Sequence, residues 1–363
     1  SGAELVEQAL DSLIERGAVV QEQVAHVEAC YLRRLWEAEC SACIRLAGLL
    51  AADTDRSAQA GRAVDELEAQ QGITYAPLQR QAVELAARTG VLVLTGGPGT
   101  GKTTTVRGIV ALFRRMGLEI VLAAPTGRAA KRMSELTGME AQTVHRMLGM
   151  SWNDVTHQVT FQKTEKEPLE ADAVIVDEMS MVDMRLAYEF FTRIKRGTRV
   201  VLIGDVNQLS SVGPGNVFRE LIQCGAVPVT VLDQIFRQGK GSLIAANAYK
   251  MLNNSAALEY GEDFVFLPAD NAECAAEIVE REYRRMTAEL GIDQVQVLTP
   301  YRKSGAVSVN ALNERLWNLV NPKMPGKAEM KVRGRIFREK DKVIHNKNKN
   351  EISNGDTDRK SVV

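Results

Sequence analysis

Glycines, a lysine and a threonine near residue 100 have the composition and spacing of a phosphate-binding loop. Gly96, Gly101, Lys102 and Thr103 fill the pattern G-x-x-x-x-G-K-[ST], directly after the apolar run at residues 91–94. Glycines let backbone N–H groups close around phosphate oxygens, and the N-terminus of the following helix favours their negative charge. We expect Lys102 to contact the β- and γ-phosphates of a nucleotide and the Thr103 hydroxyl to bind Mg²⁺. The other residues expected at the nucleotide are Gly97, Pro98, Gly99, Thr100 and Thr104.

Two acidic residues, Asp177 and Glu178, end a second apolar run at residues 173–176. In a nucleotide hydrolase Asp177 would bind Mg²⁺, directly or through water, and Glu178 would orient and deprotonate the attacking water. For this pattern alone the alternative is a solvated strand end. A phosphate loop in the same chain favours the catalytic role, and so predicts hydrolysis of the nucleotide as well as binding.

Three further polar residues are candidates for nucleotide contacts. Gln208 and Asp205 follow the apolar run at residues 200–203, at the carboxyl edge where open α/β sheets bind ligands, and the Gln208 amide could contact the γ-phosphate. Gln79 precedes the phosphate loop, and its amide could contact the adenine edge. Arg237 could bring a guanidinium to the γ-phosphate from a second domain. The alternative for Asp205 and Gln208 is a polar loop, for Gln79 a glutamine on a helix surface, and for Arg237 an ordinary arginine.

The hydrophobic pattern that must position these residues predicts an α/β fold. Near-continuous apolar runs at residues 91–94, 120–123, 173–176 and 200–203 alternate with helical periodicity. This is typical of a parallel sheet covered by helices on both faces. Between residues 150 and 169, Val155, His157, Val159 and Phe161 alternate, which predicts a small inserted β-hairpin. After Leu232 the pattern predicts a second α/β region with strands at residues 264–267 and 296–299.

Residues 1–70 have a different pattern, which indicates an accessory region. A predicted helix ends at Gly17 before a short strand at residues 18–20, in a winged-helix-like order. A long helix at residues 28–51 and a polar linker at residues 53–62 are predicted to follow. The predicted domains are therefore residues 1–70, 71–232 and 233–363.

Composition limits the classes of function. Lys and Arg number 45 against 46 for Asp and Glu, so any nucleic-acid site must be a local groove rather than a general positive field. No apolar run approaches the length of a membrane span and no signal-peptide pattern opens the chain, so we expect a cytoplasmic protein that does not act at a membrane. The five cysteines are an odd number, which favours reduced thiols. Four residues are candidate zinc ligands by their type: His26, Cys30, Cys40 and Cys43. The amphipathic helix predicted around them favours ordinary helix packing instead.

The order of the motifs resembles that of superfamily I helicases. The segments that carry the resemblance are Gln79, the loop through Thr103 and residues 124–129, 177–180, 204–209, 236–238 and 298–301. More narrowly, the loop together with residues 127–132, 143–145 and 177–183 is similar to the RecD branch, which comprises the exodeoxyribonuclease V alpha subunit and its stand-alone relatives. The similarity extends from about residue 70 to residue 355.

The resemblance implies tandem RecA-like P-loop domains with ATP between them and single-stranded DNA crossing both, moved 5′ to 3′ at the expense of ATP. It implies adenine recognition by Gln79, catalysis with Mg²⁺ by Lys102, Thr103, Asp177 and Glu178, and γ-phosphate sensing by Gln208 and Arg237. The residues that match DNA-groove positions are Thr126, Arg128, Thr143 and His145 in the first domain and Thr299 and Asn310 in the second. Helix capping or an ordinary surface position is the alternative for each groove residue.

The late part of the sequence departs from the family pattern. Asp358 stands where a glycine is usual, and the last helicase motif has no counterpart, so we expect the second RecA-like domain to be incomplete. The basic stretch at residues 323–349 could touch DNA or form a solvated face. Expected partners are single-stranded DNA, duplexes with a 5′ tail and subunits of a helicase–nuclease complex, in DNA repair or recombination. The alternatives are a motor subunit of such a complex, the helicase part of a conjugative relaxase, or a nucleotide-gated DNA-binding module without hydrolysis.

Overall fold

The structure, a computed structural model, describes residues 2–24, 26–52, 57–153, 158–234, 242–255, 257–332, 335–344 and 357–359. The chain divides into two units, Ser1–Gly239 and Lys240–Val363. Among the described residues no helix is both long and apolar enough to cross a membrane.

The first unit begins with elements that differ in part from the predicted ones. They are α1 (Gly2–Glu15), β1 (Val19–Val24), β2 (Val27–Leu32), α2 (Arg33–Leu50) and α3 (Ser57–Gln71). The helix predicted from residue 28 is wrong up to residue 32, because β2 pairs antiparallel with β1 over that stretch. The predicted linker is wrong from residue 57, because Val64 and Leu67 of α3 are buried in a hydrophobic core.

The rest of this unit alternates strands and helices as predicted. In chain order the elements are α4 (Pro77–Arg88), β3 (Val91–Gly96), α5 (Lys102–Arg115), β4 (Ile120–Ala124), α6 (Gly127–Thr137), β5 (Ala141–Thr143), α7 (Val144–Met147), β6 (Met150–Asn153), β7 (Gln158–Phe161), β8 (Ala173–Val176), a 3₁₀ turn (Met179–Met181), α8 (Met184–Thr192), β9 (Arg199–Gly204), α9 (Val217–Gln223) and β10 (Val229–Leu232). Strands β6 and β7 form an antiparallel pair in the predicted hairpin region. Val155 and His157 lie outside the described residues.

Six of these strands form one parallel sheet in the order β10-β3-β9-β8-β4-β5. Alternate residues of the strands belong to two different hydrophobic cores, one on each face of the sheet. Val91 and Val93 pack with α2, α8 and α9, whereas Leu92 and Leu94 pack with α3, α4 and α5. Both faces are therefore covered, which explains the continuous apolar runs in the sequence. The predicted α/β class with a parallel sheet is confirmed.

The second unit contains three helices and two antiparallel strand pairs among its described residues. They are α10 (Leu243–Leu252), α11 (Ala272–Leu290), α12 (Val309–Val320), β11 (Glu329–Val332) with β12 (Arg335–Arg338), and β13 (Lys342–Ile344) with β14 (Thr357–Arg359). The strands predicted at residues 264–267 and 296–299 are wrong. A strand requires a hydrogen-bonded neighbour, and no described segment pairs with either stretch. Instead Val265 and Phe266 are 62% and 66% exposed.

Candidate nucleotide-binding site

The phosphate loop lies between β3 and α5, at the carboxyl edge of the parallel sheet. Gly99 and Gly101 have φ angles of 79° and 85°, in the left-handed region that residues with a side chain rarely adopt. Gly101 is also the N-cap of α5 and has no side chain with which to cap it. The N–H groups of the first turn of α5 are therefore oriented toward the space where an anion would bind, at the positive end of the helix dipole.

Lys102, the first residue of α5, contacts the loop that precedes it. Its Nζ donates hydrogen bonds to the carbonyl oxygen of Gly96 and, at 3.0 Å, to that of Gly97. These bonds hold the ammonium group across the loop. A bound phosphate would compete with the two carbonyl oxygens for the same cation.

The acidic pair follows β8, two positions along the sheet from β3. Asp177 Oδ1 accepts a hydrogen bond of 2.8 Å from the Glu178 N–H. Glu178 has a φ of 55°, a left-handed conformation that costs a non-glycine residue about 1–3 kcal/mol. This backbone turn is an outlier at a place where the sequence predicts chemistry, as strained residues often are.

The electrostatic surroundings of the pair favour a basic carboxylate. Burial raises the pKa of Asp177, against the N–H of Glu178 and the charges of Lys102 and Arg132. Burial also raises the pKa of Glu178, with a further increase from the Asp177 charge and an opposing effect of the same two cations. A carboxylate with a raised pKa is a stronger base, which suits proton abstraction from water near neutral pH.

A cavity of about 440 Å³ joins the phosphate loop to the acidic pair. Its polar lining includes Lys102, Thr103, Asp177, Glu178 and Gln208, all predicted from the sequence. Its other lining residues are Gly97, Pro98, Gly99, Gly101, Thr104, Val106, Arg132, Met133, Leu136, Thr137 and Ile203. Thr100 is not part of this lining, because its buried hydroxyl donates to the Gly97 carbonyl oxygen at 2.8 Å.

Arg132 is the charged cavity residue that sequence reasoning did not assign. It lies on α6, thirty positions from Lys102 in the chain and outside the spacing patterns that identify phosphate loops. The signal that could have found it is the helical spacing of residues 132, 133, 136 and 137, which places them on one face of α6. All four residues of that face line the cavity.

Gln208 reaches the cavity from the turn after β9. Its backbone N–H donates to the Asp205 carbonyl oxygen at 3.1 Å, and Asp205 Oδ1 accepts from the Asn207 N–H at 2.9 Å. Asp205 is buried and supports the turn, whereas Gln208 is exposed and lines the cavity. Asp205 therefore holds the loop and Gln208 is the side chain available to a ligand.

Gln79 lies in α4, beside a separate cavity of about 50 Å³. It is 6% exposed, and its Oε1 accepts a hydrogen bond of 3.1 Å from the Ala76 N–H. The surface-glutamine alternative is therefore wrong. The cavity is also lined by Thr100 of the phosphate loop and by Asp233, so it adjoins that loop. Arg237 lies outside the described residues.

The residues predicted at the DNA groove of the first unit begin helices at the carboxyl edge of the sheet. Thr126 caps α6 and Thr143 caps α7, accepting from the N–H groups of Ala129 at 3.3 Å and Arg146 at 3.2 Å. The capping role weighed from the sequence is therefore present at both threonines. Arg128 is exposed in the first turn of α6. His145 is half-buried, and burial lowers the pKa of its imidazole, with an opposing effect of the Asp183 charge.

The two groove residues predicted in the second unit have local roles as well. Thr299 donates from Oγ1 to the Val307 carbonyl oxygen at 2.6 Å, which closes a turn before α12. Asn310 is exposed in the first turn of α12.

Known proteins resemble this chain over most of the described site. Residues 79–214 match the family described as an AAA domain. The ATP-dependent RecD2 DNA helicase of Deinococcus radiodurans is 37% identical over 280 residues, which cover 76% of this chain and 37% of that protein. The RecBCD enzyme subunit RecD of Mycolicibacterium smegmatis is 32% identical over 314 residues, which cover 76% of this chain and 55% of that protein. The resemblance to RecD-like helicases is confirmed.

This chain spans 37% and 55% of the lengths of these two relatives. Among solved structures, the crystal structure of Pif1 helicase from Candida albicans is 22% identical, with a TM-score of 0.36, over 63% of this chain and 49% of that chain. The AAA-domain match begins at Gln79 and ends after Gln208, so it contains the whole cavity between Lys102 and Glu178. Arg237, Thr299 and Asn310 lie beyond it.

Proposed function

We propose that this RecD-like chain binds and hydrolyses Mg·ATP in the cavity beside α5, and that it uses this hydrolysis to move 5′ to 3′ on single-stranded DNA as a DNA helicase. The observation that carries the proposal is the convergence of the α5 N-terminus, Lys102 and the pair Asp177–Glu178 on one cavity. An anion site, a mobile cation and a carboxylate base are the parts that phosphoryl transfer to water requires.

The donor set in the cavity fits Mg²⁺. The Thr103 hydroxyl and the Asp177 carboxylate both line it, and hard oxygen donors are what this ion prefers. The ion would supply neutralisation of charge on the β- and γ-phosphates. Burial raises the pKa of Asp177, and the N–H of Glu178 and the charge of Lys102 act in the opposite direction, in favour of the carboxylate that a metal ion would bind.

Glu178 is assigned the base. A water between its carboxylate and the γ-phosphorus would give a proton to the carboxylate while its oxygen attacks phosphorus. The bond from the γ-phosphorus to the bridging oxygen then breaks, and its electron pair stays on the β-phosphate, giving ADP and inorganic phosphate. Lys102 would leave the carbonyl oxygens of Gly96 and Gly97 to follow the γ-phosphate. The proposed role of Gln208, which lines the cavity, is a hydrogen bond to the same phosphate, and that of Gln79, beside the smaller cavity, is a hydrogen bond from its amide to adenine.

The DNA-binding surface is assigned to the helix starts after β4 and β5. A threonine hydroxyl that accepts a capping bond keeps its own hydrogen for a phosphate oxygen, so Thr126 and Thr143 can cap and bind DNA together. Arg128 and His145 supply the neighbouring donors. Phosphate contacts of this kind do not read sequence, as a translocating motor requires. Thr299 and Asn310 are proposed to contact DNA from the second unit, and Arg237 to act on the γ-phosphate.

The proposed substrate and setting are those that the resemblance to RecD-like helicases implies. We assign single-stranded DNA and duplexes with a 5′ tail as substrates, in DNA repair or recombination. One relative is named as a subunit of the RecBCD enzyme, and so a complex with other subunits is part of the proposal.

Glu178→Gln tests the proposal, with Glu135→Gln on the exposed surface of α6 as a matched control. Glu178→Gln should keep the affinity for Mg·ATP within about twofold and lower turnover by about 10²–10⁴-fold, because only the base is lost. Turnover of the parent should rise with single-stranded DNA, and strand displacement should require a 5′ rather than a 3′ tail. An equal loss of affinity and rate in Glu178→Gln would make Glu178 a structural residue. DNA binding gated by ATP without turnover in the parent would instead indicate a binding module.

A further inference from the structure

Arg132 is on the wall of the phosphate cavity, contributed by the helix face of α6 that also carries Met133, Leu136 and Thr137. Lys102 and the acidic pair line the same cavity. Arg132 itself is exposed to solvent in the cavity region. Within the described part of the chain its guanidinium has no hydrogen bond or ion pair, so its five N–H donors are available to a ligand.

Arg132 balances the charge of the cavity lining. The charged side chains of its lining are two cations, Lys102 and Arg132, and two anions, Asp177 and Glu178. Without Arg132 the charged side chains of the lining would carry one net negative charge before Mg²⁺ binds, so Arg132 makes the lining more favourable for a polyphosphate. Burial raises the pKa of Asp177 and of Glu178, and the charge of Arg132 opposes this at both carboxylates, so Arg132 lies within electrostatic range of the acidic pair.

We infer that Arg132 binds the γ-phosphate of the nucleotide and supplies, from within the first unit, a cation that stabilises the charge developed during hydrolysis. This inference rests on the proposed function. The attacking water belongs beside Glu178, so a cation that acts on Glu178 from α6 adjoins the phosphate under attack. A guanidinium can hold two oxygens of one phosphate at once, which an ammonium cannot do in the same fixed geometry.

The bond changes need no further reactant. Water adds to the γ-phosphorus, its proton passes to the Glu178 carboxylate, and the bond to the bridging oxygen breaks with its electron pair on ADP. Arg132 keeps all its protons and contributes only hydrogen bonds and charge. Its contribution should therefore depend on the terminal phosphate and be small for a diphosphate.

The test compares Arg132→Ala, Arg132→Lys and Lys131→Ala in the full chain. Lys131 is the matched control, since it is the adjacent exposed cation on α6 and does not line the cavity. Each protein is titrated with fluorescent ATP and ADP analogues in the presence of Mg²⁺, and turnover is measured with single-stranded DNA. Far-UV circular dichroism and thermal unfolding check the fold of each variant.

Arg132→Ala should weaken triphosphate binding about 10- to 100-fold and diphosphate binding by less than about threefold. Arg132→Lys should recover part of the triphosphate affinity, and Lys131→Ala should stay within about twofold of the parent for both nucleotides. Equal affinities for ATP in Arg132→Ala and the parent would overturn the inference while leaving the proposed function intact. So would an equal loss for ATP and ADP, or a loss of DNA affinity alone. Absence of nucleotide binding by the parent itself would overturn both.

Discussion

Replacing Lys102 by alanine tests the phosphate loop at its mobile cation. Two unit charges about 4 Å apart attract by about 4 kcal/mol at an effective dielectric constant of about 20. To bind the phosphate, the Nζ group must break its hydrogen bonds to the carbonyl oxygens of Gly96 and Gly97, and this costs about 1–3 kcal/mol in total. The net loss expected for Lys102→Ala is therefore about 1–3 kcal/mol of ATP binding, or about 5- to 150-fold in the dissociation constant.

The assay is a titration of Mg·ATP and Mg·ADP by calorimetry, followed by turnover measurements at saturating nucleotide. Turnover of Lys102→Ala should fall further than affinity, because charge on the transferred phosphate grows in the transition state. Arg107→Ala is the matched control, since Arg107 is an exposed cation on the same helix and does not line the cavity. An unchanged dissociation constant and turnover in Lys102→Ala, with the control also unchanged, would refute the assignment of the phosphate loop.

Three other predictions concern the DNA surface, the core and the response to pH. Arg128→Ala should weaken binding to all single-stranded DNA sequences about equally and lower the slope of log affinity against log salt by about one, with nucleotide affinity unchanged; a loss confined to one sequence would contradict it. Gly204→Ala places a Cβ 2.8 Å from the ring of Phe218, so chemical denaturation should show a loss of about 1–3 kcal/mol. Gly48→Ala, with no atom within 4 Å of its Cβ, should be neutral or stabilising in the same measurement. Because burial lowers the pKa of His145, the folded state binds that proton less readily than the unfolded state, and stability should fall as pH drops from about 7.5 to about 5.5. His145→Gln should lose this part of the dependence, and an unaltered pH profile of unfolding would show that the imidazole does not contribute.

Much of the first unit could be predicted from the sequence because its signals are local. The strands at residues 91, 120, 173 and 200 are buried on both faces, so each appears as an unbroken apolar run. The phosphate loop needs glycines at fixed positions, since Gly99 and Gly101 adopt left-handed φ angles. Chemistry that depends on backbone conformation and strand ends is therefore visible in spacing alone.

Signals that depend on long-range pairing were less informative. Residues 28–32 have helical spacing, but antiparallel pairing with β1 makes them a strand. The polar stretch after residue 57 resembles a linker, yet Val64 and Leu67 are buried because α4 and α5 provide a surface for them. Residues 264–267 and 296–299 are apolar enough for strands but have no partner among the described residues.

The candidate site shows the same division. The residue types that could hold phosphate, metal and water were predictable from the sequence, because those requirements lie within short motifs around Lys102 and Asp177. Arg132 joins them through the packing of the folded chain, since α6 must fold back against α5 before its face can line the cavity. The caps formed by Thr126 and Thr143 are local, each to an N–H three residues along the chain, so the sequence could already offer capping as their alternative role. A motif shows which chemistry a residue can perform. The residues that lie around it in the folded chain decide which partners take part.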